Sequence, residues 1–189
     1  MGNQPIMKCD EVIHYTSRYK SPIGDILLAC DKIGLTGLWF EGEKFYALNL
    51  AFRHEEKEMP VFEGVKNWLD IYFSGKEPDF MPDIHMIGTP FQLSVWRILQ
   101  KIPYGTTTTY GEIAKKIAEE RGLTHMSAQA VGGAVGHNEI SIIVPCHRVV
   151  GSNGSLTGYA GGVDKKAALL KYEGINMNNL YIPSKGTAL

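Results

Sequence analysis

Cysteine is scarce in this chain, with three among 189 residues, and that excludes a disulfide framework. Cys9, Cys30 and Cys146 form no Cys-x-x-Cys pair, and no His-x-x-x-His spacing accompanies them. No metal is therefore expected, and the one combination that could meet in space is Cys9 and Cys30 with His14 or His85. No apolar run approaches the ~20 residues that a membrane span needs, so no membrane partner is expected. The opening Met-Gly-Asn-Gln-Pro-Ile lacks the apolar core of a secretory signal. Ile6 also stands where a myristoylation motif has Ser or Thr, and the expected compartment is the cytoplasm. There is no internal repeat, no low-complexity tract and no phosphate-loop Gly-Lys-Ser/Thr ending, so no nucleotide cofactor is expected.

Nor is there a large excess of charge: the net value is −1, with 44% apolar and 21% charged residues, as in ordinary globular proteins. The balance is uneven along the chain, however. Residues 1–89 hold 9 Lys and Arg against 14 Asp and Glu, whereas residues 90–189 hold 10 against 6. Such asymmetry is compatible with a nucleic-acid face on the second half, and equally with chance clustering on a solvated surface.

The first half reads as strands followed by helix. His14 to Arg18 is a strand candidate, Ser21-Pro22-Ile23-Gly24 carries turn chemistry, and Asp25 to Ala29 with Leu35 to Phe40 reads as a hairpin. Phe45 to Phe52 is expected as a helix, and Val61 to Phe73 shows helical apolar spacing ending at Ser74-Gly75. Three prolines between Lys76 and Pro90 mark a linker. Beyond it, Phe91 to Ile102 reads as an amphipathic helix. Thr109-Tyr110-Gly111-Glu112 matches a capping box that opens a helix running to about Glu120. A second short helix covers about Ser127 to Gly136. That pair is a helix-turn-helix candidate. The second helix is unusually rich in small residues, Ala128, Ala130, Gly132, Gly133 and Ala134. Interior glycines cost about 1 kcal/mol each relative to alanine, so small size must serve close packing or the close approach of a ligand such as DNA.

Chemistry concentrates in Ile142 to Val150, Ile-Ile-Val-Pro-Cys-His-Arg-Val-Val. Ile142 to Val144 reads as a buried strand that Pro145 ends. A free thiol is only a few per cent ionised at neutral pH, so Cys146 needs a base, and His147 is the next residue. Successive strand residues face opposite ways. The two can cooperate only on a turn or through a bridging water. A glycine-rich loop follows from Gly151 to Gly162, then a helix from Asp164 to Tyr172 with Gly174 as its C-cap. Glu173 lies at the helix end that favours cations, which calls for a cationic partner, and His147 is the candidate. The tail from Asn176 to Leu189 is polar and expected to be loosely ordered.

Ile-Val-Pro-Cys-His-Arg-Val-Val, preceded by Ala-Val-Gly-Gly-Ala…His-Asn and followed by Gly-Tyr-Ala-Gly-Gly…Leu-Leu-Lys-Tyr-Glu-Gly, resembles the O6-alkylguanine-DNA alkyltransferases. The match is strong over about Phe91 to Gly174, with Ser21-Pro22-Ile23-Gly24 a weaker echo. The resemblance implies an α/β architecture of two domains: a ribonuclease H-like domain with an antiparallel sheet (1–88, with the linker) and a mainly helical DNA-binding domain (89–175), then a tail (176–189). It implies a monomer that acts on double-stranded DNA from the minor groove. The activity implied is single-use transfer of an alkyl group from O6-alkylguanine, and from O4-alkylthymine, to Cys146. In that scheme His147 takes the thiol proton, Glu173 holds the imidazole, Asn138 polarises the thiol and Tyr110 donates to the departing guanine. Tyr159 and the Ala160 amide would read the extruded base. Ala128, Ala130 and Gly132 would enter the groove, with Gln92, Ser152 and Arg148 at DNA contacts.

Two positions depart from the family pattern. Gln129 stands where an arginine usually fills the gap left by the flipped base, without its charge or stacking plane. Glu139 replaces a common proline and is expected to add negative charge near the DNA face. Two other classes fit parts of the pattern: a damage sensor without transfer, whose members lack the cysteine, and a cysteine hydrolase built on Cys146, His147 and Glu173.

Overall fold

The computed structural model of the protein describes residues 13–183. β1 (His14–Ser21), β2 (Gly24–Cys30) and β3 (Leu35–Phe40) form an antiparallel meander. A short β4 (His54–Glu56) adds to β1 in parallel, giving the order β3-β2-β1-β4. Pro22 and Ile23 make the tight turn between β1 and β2. Every residue of β3 is buried, so this strand is covered on both faces. α1 (Pro60–Phe73) begins with proline at its first position, where the missing N–H costs nothing, and buries Phe62, Val65, Trp68, Leu69 and Tyr72.

The helical half follows. α2 (Pro90–Leu99) is opened by a Thr89/Gln92 capping box and α3 (Tyr110–Glu120) by the expected Thr109/Glu112 box. α4 (Ala128–Gly136) is capped by the Ser127 hydroxyl, which accepts from the Ala130 amide. α3 and α4 form the helix-turn-helix. Thr108–Thr109 (β5) pairs in parallel with Val149–Val150 (β6), tying the start of α3 to the segment that carries Cys146. α5 (Val163–Tyr172) closes the domain. The sheet side and the helical side share one apolar core, running from Ile26 and Leu38 through Trp68 and Trp96 to Ile113, Val144 and Leu169. No helix among the described residues is long and apolar enough to cross a membrane.

Four expectations are corrected. Phe45 to Phe52 is not a helix: Phe45 (φ 68°) and Ala47 (φ 54°) adopt left-handed backbone that no right-handed helix contains, and successive turns result. Ile142 to Val144 is not a strand. Ile142 has φ 69°, and the Val144 amide bonds back to the Ile140 carbonyl at 3.0 Å. The run is buried throughout, and burial without ladder partners gives the same composition as a strand. Asn138 replaces the ladder by donating to the carbonyls of Val144 at 2.8 Å and Ile140 at 3.3 Å. The tail is not loose over its described part, because Leu180 packs on the Val150, Leu156 and Leu170 cluster and Tyr181 pairs with Ser155. Cys9 lies outside the described residues, and among those described no cluster suited to a metal forms.

Glu139 provides the fourth correction. It is buried, and its carboxylate accepts from Trp39 Nε1 at 2.6 Å across the junction between the sheet and the helical half. Burial pushes its carboxyl above the usual range. Two backbone bonds flank it, Leu38 N to Glu139 O at 2.8 Å and Ser141 N to Leu38 O at 3.0 Å. A Cβ at Gly37 would lie 1.8 Å from the Trp39 ring, so only glycine leaves the indole this path. Trp39→Phe should therefore lower the free energy of unfolding by about 1–3 kcal/mol, as expected for a buried acceptor left unpaired. Glu139→Gln, which keeps an acceptor, should cost less. Equal stability of Trp39→Phe and the parent in a urea titration would mean that this bond does not join the halves.

Candidate active site

Cys146, His147 and Arg148 form a single turn of 3₁₀-helix, and this turn sends consecutive side chains to different neighbours. The Cys146 sulfur accepts from Asn138 Nδ2 at 3.1 Å, so one amide both builds the preceding turn and polarises the thiol. Burial pushes the thiol up to about 11; Asn138 is the largest opposing influence, repulsion from Glu43 adds to the rise, and attraction to Lys166 opposes it. At neutral pH the resting group is therefore the thiol, not a preformed thiolate.

Next in the chain, His147 and Arg148 belong to a buried ionic cluster centred on Glu173. Its Oε1 accepts from His147 Nε2 at 2.6 Å, from Tyr72 OH at 2.9 Å and from an Arg148 η-nitrogen at 3.0 Å. Its Oε2 accepts from Arg148 Nε at 2.8 Å and the Gly105 amide at 3.1 Å. Gly105 has φ +70°, a turn that favours glycine and aims its N–H at the carboxylate. Burial opposes the charge on Glu173. His147 and Arg148 overcome it and hold the carboxyl at about 2.

An ionised carboxylate can only accept, so His147 Nε2 carries the hydrogen and Nδ1 carries the lone pair. That Nδ1 is buried and has no hydrogen-bond partner among the described residues. Burial lowers the affinity of His147 for a proton, partly offset by Glu173. The product is a neutral imidazole of fixed tautomer, with its basic nitrogen free.

Tyr110 opens α3, and its hydroxyl donates to the Thr157 carbonyl at 3.0 Å. Lys166 reaches the same carbonyl at 2.7 Å and that of Val149 at 2.5 Å, with no exposure to solvent. Burial lowers Lys166 to about 8, and attraction to Cys146 partly offsets this. Beside these groups a cavity of about 380 Å³ opens between α4, the Gly158–Gly162 loop and the turns that follow β3. Gly132, Gly133, Tyr159 and Ala160 line it.

Two family models together match most of the chain: the ribonuclease-like domain of 6-O-methylguanine DNA methyltransferase over residues 13–82, and its DNA binding domain over residues 90–175. The chain belongs to the 6-O-methylguanine DNA methyltransferase family. A methylated-DNA–protein-cysteine methyltransferase of Methanosarcina acetivorans is 45% identical over 85% of this chain and 98% of its own length. One from Haemophilus influenzae is 41% identical over 85% and 87%. A crystal structure of Mycobacterium tuberculosis OGT in complex with DNA superposes with a TM-score of 0.72 at 41% identity, covering 86% of this chain and 92% of that one.

Within this member of the methyltransferase family, the structure places Asn138 on Cys146 and Glu173 on His147, Tyr110 on the Thr157 carbonyl, and Tyr159 and Ala160 on the cavity wall. Ala128, Gln129 and Ala130 are exposed on the first turn of α4, and Ser152 is exposed in its loop. Gln92 is half-buried, and its amide oxygen is taken up in the Thr89 cap. Arg148 is not presented to DNA: its guanidinium is buried on Glu173 and on the Ile102 carbonyl at 2.6 Å. Two members escaped the sequence reading. Lys166 could have been found, because it lies seven residues before Glu173 on one helical face. Tyr72 could not, since it reaches Glu173 from the other half of the molecule. Glu173→Gln should destabilise the fold by about 3–5 kcal/mol, the cost of leaving a buried cation unpaired. The depressed carboxyl also sets a pH window. Its stabilisation should be full above the ordinary value of 4.5 and vanish as pH falls toward about 2, a slope the Gln variant should lack. Matching acid-denaturation curves for the two proteins would contradict this assignment.

Proposed function

We propose that this protein repairs DNA by a single, irreversible transfer of an alkyl group from O6-alkylguanine to Cys146. The observation that carries the reading is the Cys146 sulfur held by Asn138 beside a histidine whose free nitrogen is set by Glu173. The partner is duplex DNA, entered from the minor groove by the exposed small residues of α4, which let a backbone approach closely. Gln129 would hydrogen-bond the base left unpaired when the damaged nucleotide swings out, and Ser152 and Gln92 would meet phosphates. Extrusion costs a few kcal/mol, least for a damaged pair. A thiol kept reduced for use once suits the cytoplasm.

In the reaction, the Cys146 sulfur attacks the saturated carbon on O6. A sulfur–carbon bond forms and the carbon–O6 bond breaks, its electron pair leaving with the guanine. The thiol proton passes to His147 Nδ1 through one water. Glu173 balances the imidazolium so formed, and Asn138 stabilises charge on the sulfur in flight. Tyr110 exchanges its bond to the Thr157 carbonyl for one to the departing base, lowering the cost of an anionic leaving group. Arg148 acts from inside, fixing Glu173. The thioether has no leaving group that this site could expel, so one molecule reacts once. A high thiol pKa in a closed pocket suits a nucleophile made only when substrate is seated, and gives a hydrolase reading no support.

Intact-protein mass after incubation with a duplex carrying O6-methylguanine tests this directly. One methylene's worth of added mass on the parent, with none on Cys146→Ser, is the expected result. An unmodified parent, or a modified Ser variant, would overturn the assignment.

A further inference from the structure

The cavity walled by Tyr159 and Ala160 is built almost wholly of backbone on the helical side, where Gly132, Gly133, Gly158 and Gly161 line it. Its remaining wall comes from the other half of the molecule, through the turns after β3. There Phe45 stacks on the His137 imidazole with ring centroids 4.2 Å apart and an interplanar angle of 26°. The Lys44 amide donates to the Ala160 carbonyl at 3.0 Å, so this segment is bonded to the residue expected to read the base. Phe45 also holds a left-handed backbone (φ 68°), uncommon for an aromatic residue and retained only where contacts fix it. Just before it, Glu43 is buried on the Phe40 amide at 3.0 Å, which anchors the segment to the end of β3. A cavity of about 380 Å³ suffices for a small ligand, and its large side chains are few: Phe45, His137, Tyr159 and Lys44. Tyr159 is buried in the core and fixed. Phe45 is the wall that a substitution can move.

We infer that Phe45, set on His137, is a specificity-determining residue that bounds the size of the O6 substituent. The sheet half thereby takes part in substrate choice. This inference rests on the alkyl-transfer reading above. Removing the ring enlarges the cavity on the side of the turns after β3, and a larger indole narrows it. A wall contact in an apolar pocket discriminates between substrates differing by a few carbons by about ten- to hundredfold.

The test measures single-turnover rates on two duplexes, one with O6-methylguanine and one with O6-benzylguanine, for the parent, Phe45→Ala and Phe45→Trp. Phe45→Ala should raise the benzyl-to-methyl rate ratio by about tenfold, and Phe45→Trp should lower it. Opposite shifts from one position cannot arise from partial unfolding, which would slow both duplexes alike. A ratio that stays constant across the three proteins, or moves the same way in both variants, overturns the inference while leaving alkyl transfer intact. A parent that transfers neither group overturns the transfer reading instead.

Discussion

One buried negative charge organises this molecule. Glu173 receives five hydrogen bonds, from His147, Arg148, Tyr72 and the Gly105 amide. A carboxylate without solvent is tolerable only when paired and fully bonded, and each partner is thereby fixed in turn. Arg148 is pulled inward and reaches the carbonyl that ends the α2 region. Gly105 must make its left-handed turn. Tyr72 must cross from α1, so the sheet half cannot separate from the helical half without stranding an acceptor. His147 is left with one tautomer.

The same arrangement explains why the thiol can be both buried and reactive. In water its partial ionisation would expose it to oxidation and to stray alkylating agents. Here burial keeps it protonated, while Asn138 and Lys166 stand ready to favour the thiolate once the proton has somewhere to go. In the proposed reaction His147 is that destination, because its other nitrogen is already committed to Glu173. Reactivity becomes conditional on a seated substrate, which suits a protein that reacts once.

Much of the site was legible because it is local in sequence. Cys146 and His147 are neighbours, Glu173 announced itself as an anion at the wrong end of a helix, and the capping box placed Tyr110. Arg148 was misplaced outward, since a guanidinium in a DNA-binding domain looks like a phosphate contact until its carboxylate partner is seen. Glu139 failed for the same reason: its partner, Trp39, lies a hundred residues away. The helix and strand misread at Phe45–Phe52 and Ile142–Val144 share another cause. Ile142–Val144 is an apolar run buried throughout, whereas Phe45–Phe52 exposes Tyr46, Leu48 and Phe52; in each, apolar periodicity suggested regular structure that the left-handed backbone at Phe45, Ala47 and Ile142 rules out. The elements with caps and turns of their own, α2, α3, α4 and the β1–β2 hairpin, were readable because their local chemistry agrees with the fold.

The central claim is that Glu173 sets His147 as a neutral imidazole with Nδ1 unprotonated. Nitrogen NMR of the His147 ring across neutral pH tests it most directly. The expected spectrum has one pyridine-like nitrogen at Nδ1 and one protonated nitrogen at Nε2, strongly shifted by its 2.6 Å bond to Glu173, with no titration near the ordinary histidine value of 6.5. An imidazolium at neutral pH, or a hydrogen on Nδ1, would contradict it and require another base for Cys146.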